Sequence, residues 1–522
     1  MEKQVVNDLF EPYSIEPYSD FSQPDVIESY HKALAQVRNQ LGQDYALVIG
    51  GEKIETGEWL ESHNPSKTEE VVGRTAKGKK KQLEQAMDTA WEAFDYWSQL
   101  PMAHRARALM KLAAVMKRRK FELSAWETFE AAKNYKEAEA DVAEAIDFVE
   151  YYARESLKLE GPLPTYDYPG EENTSFYIPI GVGVIIPPWN FLLAILTGTT
   201  IGPVAVGNTV ILKPSPDTVI IAQKFMECVE EAGFPPGVIN LLTGDDAELG
   251  DALVDHPRTR FINFTGSMAT GLRINERAAK VQPGQKWIKR VCLEMGGKDA
   301  LIVDETADLD YAAEVAAASG FGFQGQKCSA MSRLIVVAEV YDEMVEKFTE
   351  RVKALQVGPA EENPDVAAVI NQKAVDKIMG YIDNGKVEAK LVAGGERGDE
   401  AGHFIQPTVF ADVPQSASIA CEEIFGPVVS VMKARDFDHA LEIANATVYG
   451  LTGGVISKSR ARLEQARREF QVGNLYFNRS ITGALVGIQP FGGYKLSGTN
   501  SKAGGPDYLR LFMEMKTVVE RF

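Results

Sequence analysis

The run Arg260-Phe261-Ile262-Asn263-Phe264-Thr265-Gly266-Ser267-Met268-Ala269-Thr270-Gly271 holds the pattern that decides the fold. Residues 260–264 are a short apolar run of strand character and 267–280 carry helical spacing, so the turn at Thr265-Gly266-Ser267 closes a strand and opens a helix. The same alternation occurs upstream, with buried strands expected at 181–186, 209–212 and 238–242 and a helix at 218–231. This predicts an α/β fold with a doubly wound parallel sheet, whose ligands sit at the carboxyl ends of the strands. At 264–271 the helix start would point free N–H groups and a positive dipole end at an anion. An ordinary βα turn with Ser267 as N-cap explains the same residues.

A second alternation follows Gly296-Gly297, with helices expected at 309–319, 341–355 and 437–445 and strands at 334–337, 428–432 and 473–476. Two doubly wound α/β domains facing each other across a cleft are therefore expected. The division is an N-terminal extension at 1–43, a cofactor domain at 44–160 and 178–295, and a second domain at 296–506. Within the first domain, two short strands should flank Ile49-Gly50-Gly51-Glu52, followed by helical patterns at 82–97 and from 103 past 143. Segments 161–177 and 507–522 fit neither core. They read as a protruding β hairpin and a terminal strand that make a homo-oligomer built from dimers, since an open edge strand aggregates unless paired.

A chain of 522 residues with 45% hydrophobic and 25% charged content can fill two or three large cores. Its net charge of −19 argues against nucleic acid or an anionic membrane as partner and favours solubility. Cys228, Cys292, Cys328 and Cys421 form no CxxC or Cys/His cluster, which excludes a disulfide scaffold and leaves no metal site to propose. With a polar N-terminus and no membrane-length apolar run, the expected location is cytoplasmic.

Chemistry concentrates where Gly320, Gly322 and Gly325 deliver Cys328 between Lys327 and Ser329. A neighbouring ammonium lowers a thiol pKa, so Cys328 is the candidate nucleophile, with a small buried hydrophobe as the alternative. The other three cysteines read as core filling. Glu294 ends an apolar strand beside Gly296-Gly297 and is either a general base or a solvated loop residue. Asn190, in Pro187-Pro188-Trp189-Asn190, can donate to an oxyanion or cap a helix through an Asx turn. Lys213, at the end of strand 209–212, can meet ribose or phosphate or stay exposed. No GxGxxG or GxxxxGK[ST] follows a strand, and no histidine lies near Cys328 in sequence.

Taken in order, Pro188-Trp189-Asn190, Lys213-Pro214-Ser215, Phe264-Thr265-Gly266-Ser267, Leu293-Glu294-Met295-Gly296-Gly297-Lys298, Gly325-Gln326-Lys327-Cys328 and Glu422-Glu423-Ile424-Phe425-Gly426-Pro427 resemble the aldehyde dehydrogenase superfamily. The resemblance implies Cys328 as nucleophile, Glu294 as base, and Asn190 with the Cys328 N–H as oxyanion donors. It implies NAD contacts from Ile186, Pro187, Trp189, Lys213, Ser215, Gly244, Phe264, Gly266, Ser267, Glu423 and Phe425. The loop Thr482-Gly483-Ala484-Leu485-Val486-Gly487-Ile488-Gln489-Pro490-Phe491-Gly492-Gly493 is similar to the branch acting on L-glutamate γ-semialdehyde, the 1-pyrroline-5-carboxylate dehydrogenases. That likeness implies substrate contacts from Glu144, Phe191, Ser329, Gly483, Ala484 and Phe491. Oxidation of aminoadipate or succinate semialdehyde, or a catalytically silent role, are the competing expectations. Many NAD-preferring relatives carry a glutamate where this chain has Pro216, so NADP is expected to be used alongside NAD.

Overall fold

In the computed structural model, which describes residues 9–522, strand Val182–Ile186 is the centre from which the first sheet winds in both directions. On one side lie Thr209–Leu212 and Ile239–Leu241, on the other Phe261–Thr265 and Arg290–Glu294, all parallel. The chain reverses its winding between Val182–Ile186 and Phe261–Thr265. A crevice therefore opens at their carboxyl ends, where ligands of such sheets bind. Leu47–Ile49 and Glu52–Ile54 extend this sheet in antiparallel fashion beyond Ile239–Leu241. Its strands are apolar on both faces because helices cover both, as burial of Val184, Ile185, Val210 and Ile211 records.

A second seven-stranded sheet is centred on Asp299–Val303, flanked by Met331–Val337 and Thr452–Ile456. It continues through Val428–Ala434 and Thr408–Ala411 to the antiparallel edge Lys390–Ala393, and on the other side to Asn474–Phe477. The central strand Asp299–Val303 and its neighbour Thr452–Ile456 are not announced by the alternation. Gly453 and Gly454 give the latter poor strand propensity, yet a Cβ at Gly453 would lie 2.4 Å from the Phe470 ring. Packing requires the glycines that hide the strand.

Three expectations are corrected. The helical pattern from 103 past 143 is three helices, Met102–Arg118, Lys120–Ala131 and Tyr135–Leu157. The second break, at left-handed Ala132 (φ 51°), turns Lys133 inward onto Glu127 and Asp141. Segment 507–522 is not wholly outside the cores, because Tyr508, Leu509 and Phe512 are buried in the first one, whereas segment 161–177 folds back on itself through the antiparallel bridges Leu163↔Ser175 and Tyr168↔Glu171. Its second half is strand Glu171–Pro179, which pairs antiparallel with Met513–Arg521 from Met513↔Pro179 to Arg521↔Glu171. Cys421 is exposed rather than core filling, because it ends the one-turn helix Ser418–Cys421, whereas Cys228 and Cys292 are buried as expected. A three-stranded sheet of Gln43–Tyr45, Lys67–Ala76 and Trp59–Asn64 lies beside the first sheet. Of the expected extension, 1–8 fall outside the described residues; the rest runs over the body into helix Pro24–Arg38.

Candidate active site

Helix Leu309–Phe321 hands the chain to a tight turn, Gly322–Gly325, in which Phe323 (φ 47°), Gln324 (φ 57°) and Gly325 (φ 66°) are all left-handed. Of the glycines expected to supply the bend, Gly325 alone does so. Gly320 sits inside the helix, where a Cβ would come 2.9 Å from Val429, and Gly322 leaves room for the Glu137 carboxylate. Holding Phe323 and Gln324 left-handed costs on the order of 1–3 kcal/mol each. The Gln324 amide offsets this by donating to Ala132 O (3.1 Å) and Ala368 O (2.8 Å). The turn leaves Cys328 half-buried between two cavities.

Lys327 is not the activator of that thiol. Its ammonium pairs with Glu137 at 2.6 Å, and burial pushes the Cys328 thiol up, with Asp299, Glu423 and Glu294 adding to the effect. Asn190 is buried on the turn after strand Val182–Ile186 and donates through Nδ2 to Gln326 O at 2.9 Å. One amide hydrogen is thus used to orient the side chain toward the cysteine loop, and the other is left for an oxyanion.

Glu294 ends strand Arg290–Glu294, with its carboxylate turned onto the segment that returns from the second sheet. Oε2 accepts the Gly493 N–H (2.9 Å), and Oε1 accepts the Ser501 N–H (3.0 Å) and hydroxyl (2.7 Å). Burial raises its pKa to about 7 against the lowering effect of these bonds. Such a carboxyl is divided between acid and base forms near neutrality, as a general base requires. The sequence reading missed Ser501 and Gly493, since only the fold brings them to a residue two hundred positions away.

A cleft of ≈ 890 Å³ opens at the crevice of the first sheet and ends at Cys328. Ile186, Pro187, Trp189, Lys213, Ser215, Phe264, Gly266, Ser267, Glu423 and Phe425 all line it. Gly244 does not. It packs under the cleft, where a Cβ would meet Leu249 at 2.4 Å and Gly78 O at 2.9 Å. Ser267 caps helix Met268–Ala279 by accepting the Thr270 N–H, as the ordinary βα-turn reading expects. Glu423 accepts the Gly297 N–H at 2.9 Å, and a Cβ on Gly296 would collide with its carboxylate at 2.3 Å. The Trp189 and Phe425 rings pack edge to face, centroids 5.4 Å apart. Lys213 is neither exposed nor free, because its buried ammonium pairs with Asp246. Pro216 is absent from the wall and Asp217 lies on it, held by Asn371 Nδ2 at 2.8 Å. This cleft fits a dinucleotide in size, in its helix N-terminus and in its glycine-cleared wall.

Beyond Cys328 a smaller cavity of ≈ 100 Å³ is lined by Glu144, Phe191, Ser329, Gly483, Ala484 and Phe491, together with Cys328 and Glu294. Burial, with Asp141 adding and Lys133 opposing, pushes Glu144 up to about 8. Among the described residues no His/Cys/Asp/Glu group could hold a metal, and no helix is long and apolar enough to cross a membrane.

A family model, that of the aldehyde dehydrogenase family, matches residues 53–518. The chain is 58% identical over 515 residues to a 1-pyrroline-5-carboxylate dehydrogenase of Geobacillus kaustophilus, an alignment covering 98% of this chain and 100% of the relative. It is 54% identical to the enzyme of that name from Bacillus subtilis, over 98% of this chain and 99% of the relative. Among solved structures, a Thermus 1-pyrroline-5-carboxylate dehydrogenase with bound NAD superposes with a TM-score of 0.98 at 56% identity, over 98% of this chain and 100% of that one.

Proposed function

The chain belongs to the aldehyde dehydrogenase family, and from that premise we infer that it oxidises L-glutamate γ-semialdehyde, the open form of 1-pyrroline-5-carboxylate, to L-glutamate with reduction of NAD. The observation that carries this reading is the place of Cys328, at the junction of a dinucleotide-sized cleft and a small cavity with Glu144 at its wall.

The Cys328 thiolate adds to the aldehyde carbon: a C–S bond forms and the carbonyl π pair moves onto oxygen. The free hydrogen of the Asn190 amide and the Cys328 N–H hold that oxyanion. NAD, when bound, supplies the two-electron acceptor that takes the hydride from this carbon and leaves a thioester. Glu294 then removes a proton from water, the water oxygen bonds the acyl carbon, and the C–S bond breaks to return the thiolate. At the cavity wall Glu144 faces the substrate ammonium, while Ser329 and the backbone of Gly483 and Ala484 bind its carboxylate. The aromatic rings of Phe191 and Phe491 close over the aliphatic chain.

For the cofactor, Glu423 and Phe425 with Trp189 would hold the nicotinamide riboside, Gly266 and Ser267 at the helix start would hold the pyrophosphate, and Lys213 with Ser215 would hold the adenosine ribose. Residues 44–160 and 178–295 act as the cofactor domain and 296–506 as the catalytic domain. Segments 161–177 and 513–522 join copies into a homo-oligomer built from dimers, working in the cytoplasm.

The test is NADH formation with 1-pyrroline-5-carboxylate, run beside aminoadipate and succinate semialdehydes. The pyrroline substrate should give the highest kcat/KM. A higher value with either rival moves the substrate assignment, and no turnover with any of them leaves the catalytically silent reading.

A further inference from the structure

The carboxylate of Glu294 lies in a cradle built by a distant part of the chain. Strand Arg290–Glu294 is stitched to the returning segment by Met295 N–H to Ser497 O (2.7 Å), Leu293 N–H to Thr499 Oγ1 (3.0 Å) and Thr499 N–H to Leu293 O (2.8 Å). Within that frame, a Cβ on Gly498 would come 2.7 Å from Glu294 Oε2, and one on Gly492 would come 2.9 Å from Oε1. The two glycines admit the carboxylate, and Gly493 N–H, Ser501 N–H and Ser501 Oγ–H fasten it. Two of these donors are backbone and cannot be removed by substitution. The third, at 2.7 Å the shortest, is the hydroxyl of the buried Ser501.

The three donors occupy one acceptor site on Oε2 and both on Oε1, since each carboxylate oxygen offers about two. One site remains open, on Oε2, so a proton can arrive at one atom only. We propose that Ser501 is a positioning residue for the hydrolytic half-reaction, its hydroxyl holding Oε1 so that Oε2 faces the water and stays ionised to receive its proton. This rests on the reading of Glu294 as the base. Ser501 lies on the wall of the cavity that Cys328 also lines, and its hydroxyl acts through Glu294, to which it is hydrogen-bonded.

The opposite role is physically distinct. If the cradle were a resting place that Glu294 must leave before it works, removing the hydroxyl would free the base and speed hydrolysis. If it holds the working position, removal raises the proton affinity of Glu294, because a hydrogen bond to the charged form is lost.

The experiment compares Ser501→Val with Ser501→Thr, two side chains of one shape that differ by the hydroxyl, and uses NAD binding as the control for folding. Enzyme is mixed with 1-pyrroline-5-carboxylate and NAD in single turnover, quenched, and the decay of the acyl adduct on Cys328 is followed by mass spectrometry from acid to alkaline pH. With valine, the midpoint of the acid limb should rise by about one pH unit, the size of a hydrogen bond to a charged group. The alkaline plateau should fall by no more than about tenfold, and threonine should restore the wild-type profile. An unmoved midpoint, or faster decay with valine, overturns the proposal. Glu294→Gln separates the two readings: its adduct should persist at every pH, and if it decays like wild type the base itself has been misassigned.

Discussion

Cys328 lies where its own surroundings oppose ionisation, with burial and the carboxylates Asp299, Glu423 and Glu294 all favouring the thiol. A cation bound in the adjoining cleft reverses part of that balance, so thiolate should form mainly in the cofactor-bound enzyme. Cys328→Ala should reduce turnover by several orders of magnitude while NAD still binds, which steady-state rates and cofactor fluorescence check together. Glu294 titrates near 7. Below that pH it is protonated and cannot take a proton from water, so hydrolysis should rise with pH through about 7 and level off above it. At the other end of the cleft, Lys213 is neutralised by Asp246, and Asp217 adds a second carboxylate where Pro216 supplies none. NADP should therefore be used measurably but poorly. Asp246→Asn leaves the buried ammonium free for a 2′-phosphate and should raise the NADP-to-NAD ratio of kcat/KM by about tenfold, the scale of one charge-assisted contact.

Among elements, the N-terminal extension has more to do with the site than its composition suggests. Its Tyr13 hydroxyl donates to Val486 O at 3.0 Å, in the loop that also carries Gly483 and Ala484, and the Tyr13 and Tyr151 rings pack edge to face over left-handed Gly487. Downstream, Glu16 N–H donates to Asp147 and Ser19 to Glu139, both on helix Tyr135–Leu157, which also bears Glu144. The strap thus ties the substrate loop to the helix across the cavity. Losing one neutral hydrogen bond of about 1 kcal/mol loosens this tie. Tyr13→Phe should raise KM for the semialdehyde by about fivefold and leave KM for NAD unchanged, a split that steady-state kinetics reads directly.

At the scale of the whole molecule, Glu171–Pro179 and Met513–Arg521 form a two-stranded ribbon that, among the described residues, joins neither seven-stranded sheet. A two-stranded ribbon is marginal by itself in water. Here it presents Met515, Val518 and Val519 to solvent. Such an exposed apolar edge is stable when another copy covers it. The proposed oligomer should fall to monomers in light scattering when 513–522 are deleted, while the cofactor cleft, built from other strands, keeps its affinity for NAD. A deletion that leaves the assembly intact would place the interface elsewhere.

The doubly wound pattern and the strand that opens into helix Met268–Ala279 were legible in the sequence. Each rests on local patterns, namely apolar runs of strand length and helical spacing. Residues joined by the superfamily's motif order, such as Asn190, Glu294 and Cys328, converge at one junction because the carboxyl ends of both sheets meet there. What no local pattern contains is the partner of each charge. Lys327 stands beside Cys328 in the chain, yet it turns to Glu137. Lys213 is satisfied by Asp246, and Glu294 is held by Ser501 and Gly493. Periodicity reports which face of an element is buried. The identity of the group that meets a charge on the other side depends on how two sheets and a returning loop pack, and that only the tertiary structure decided.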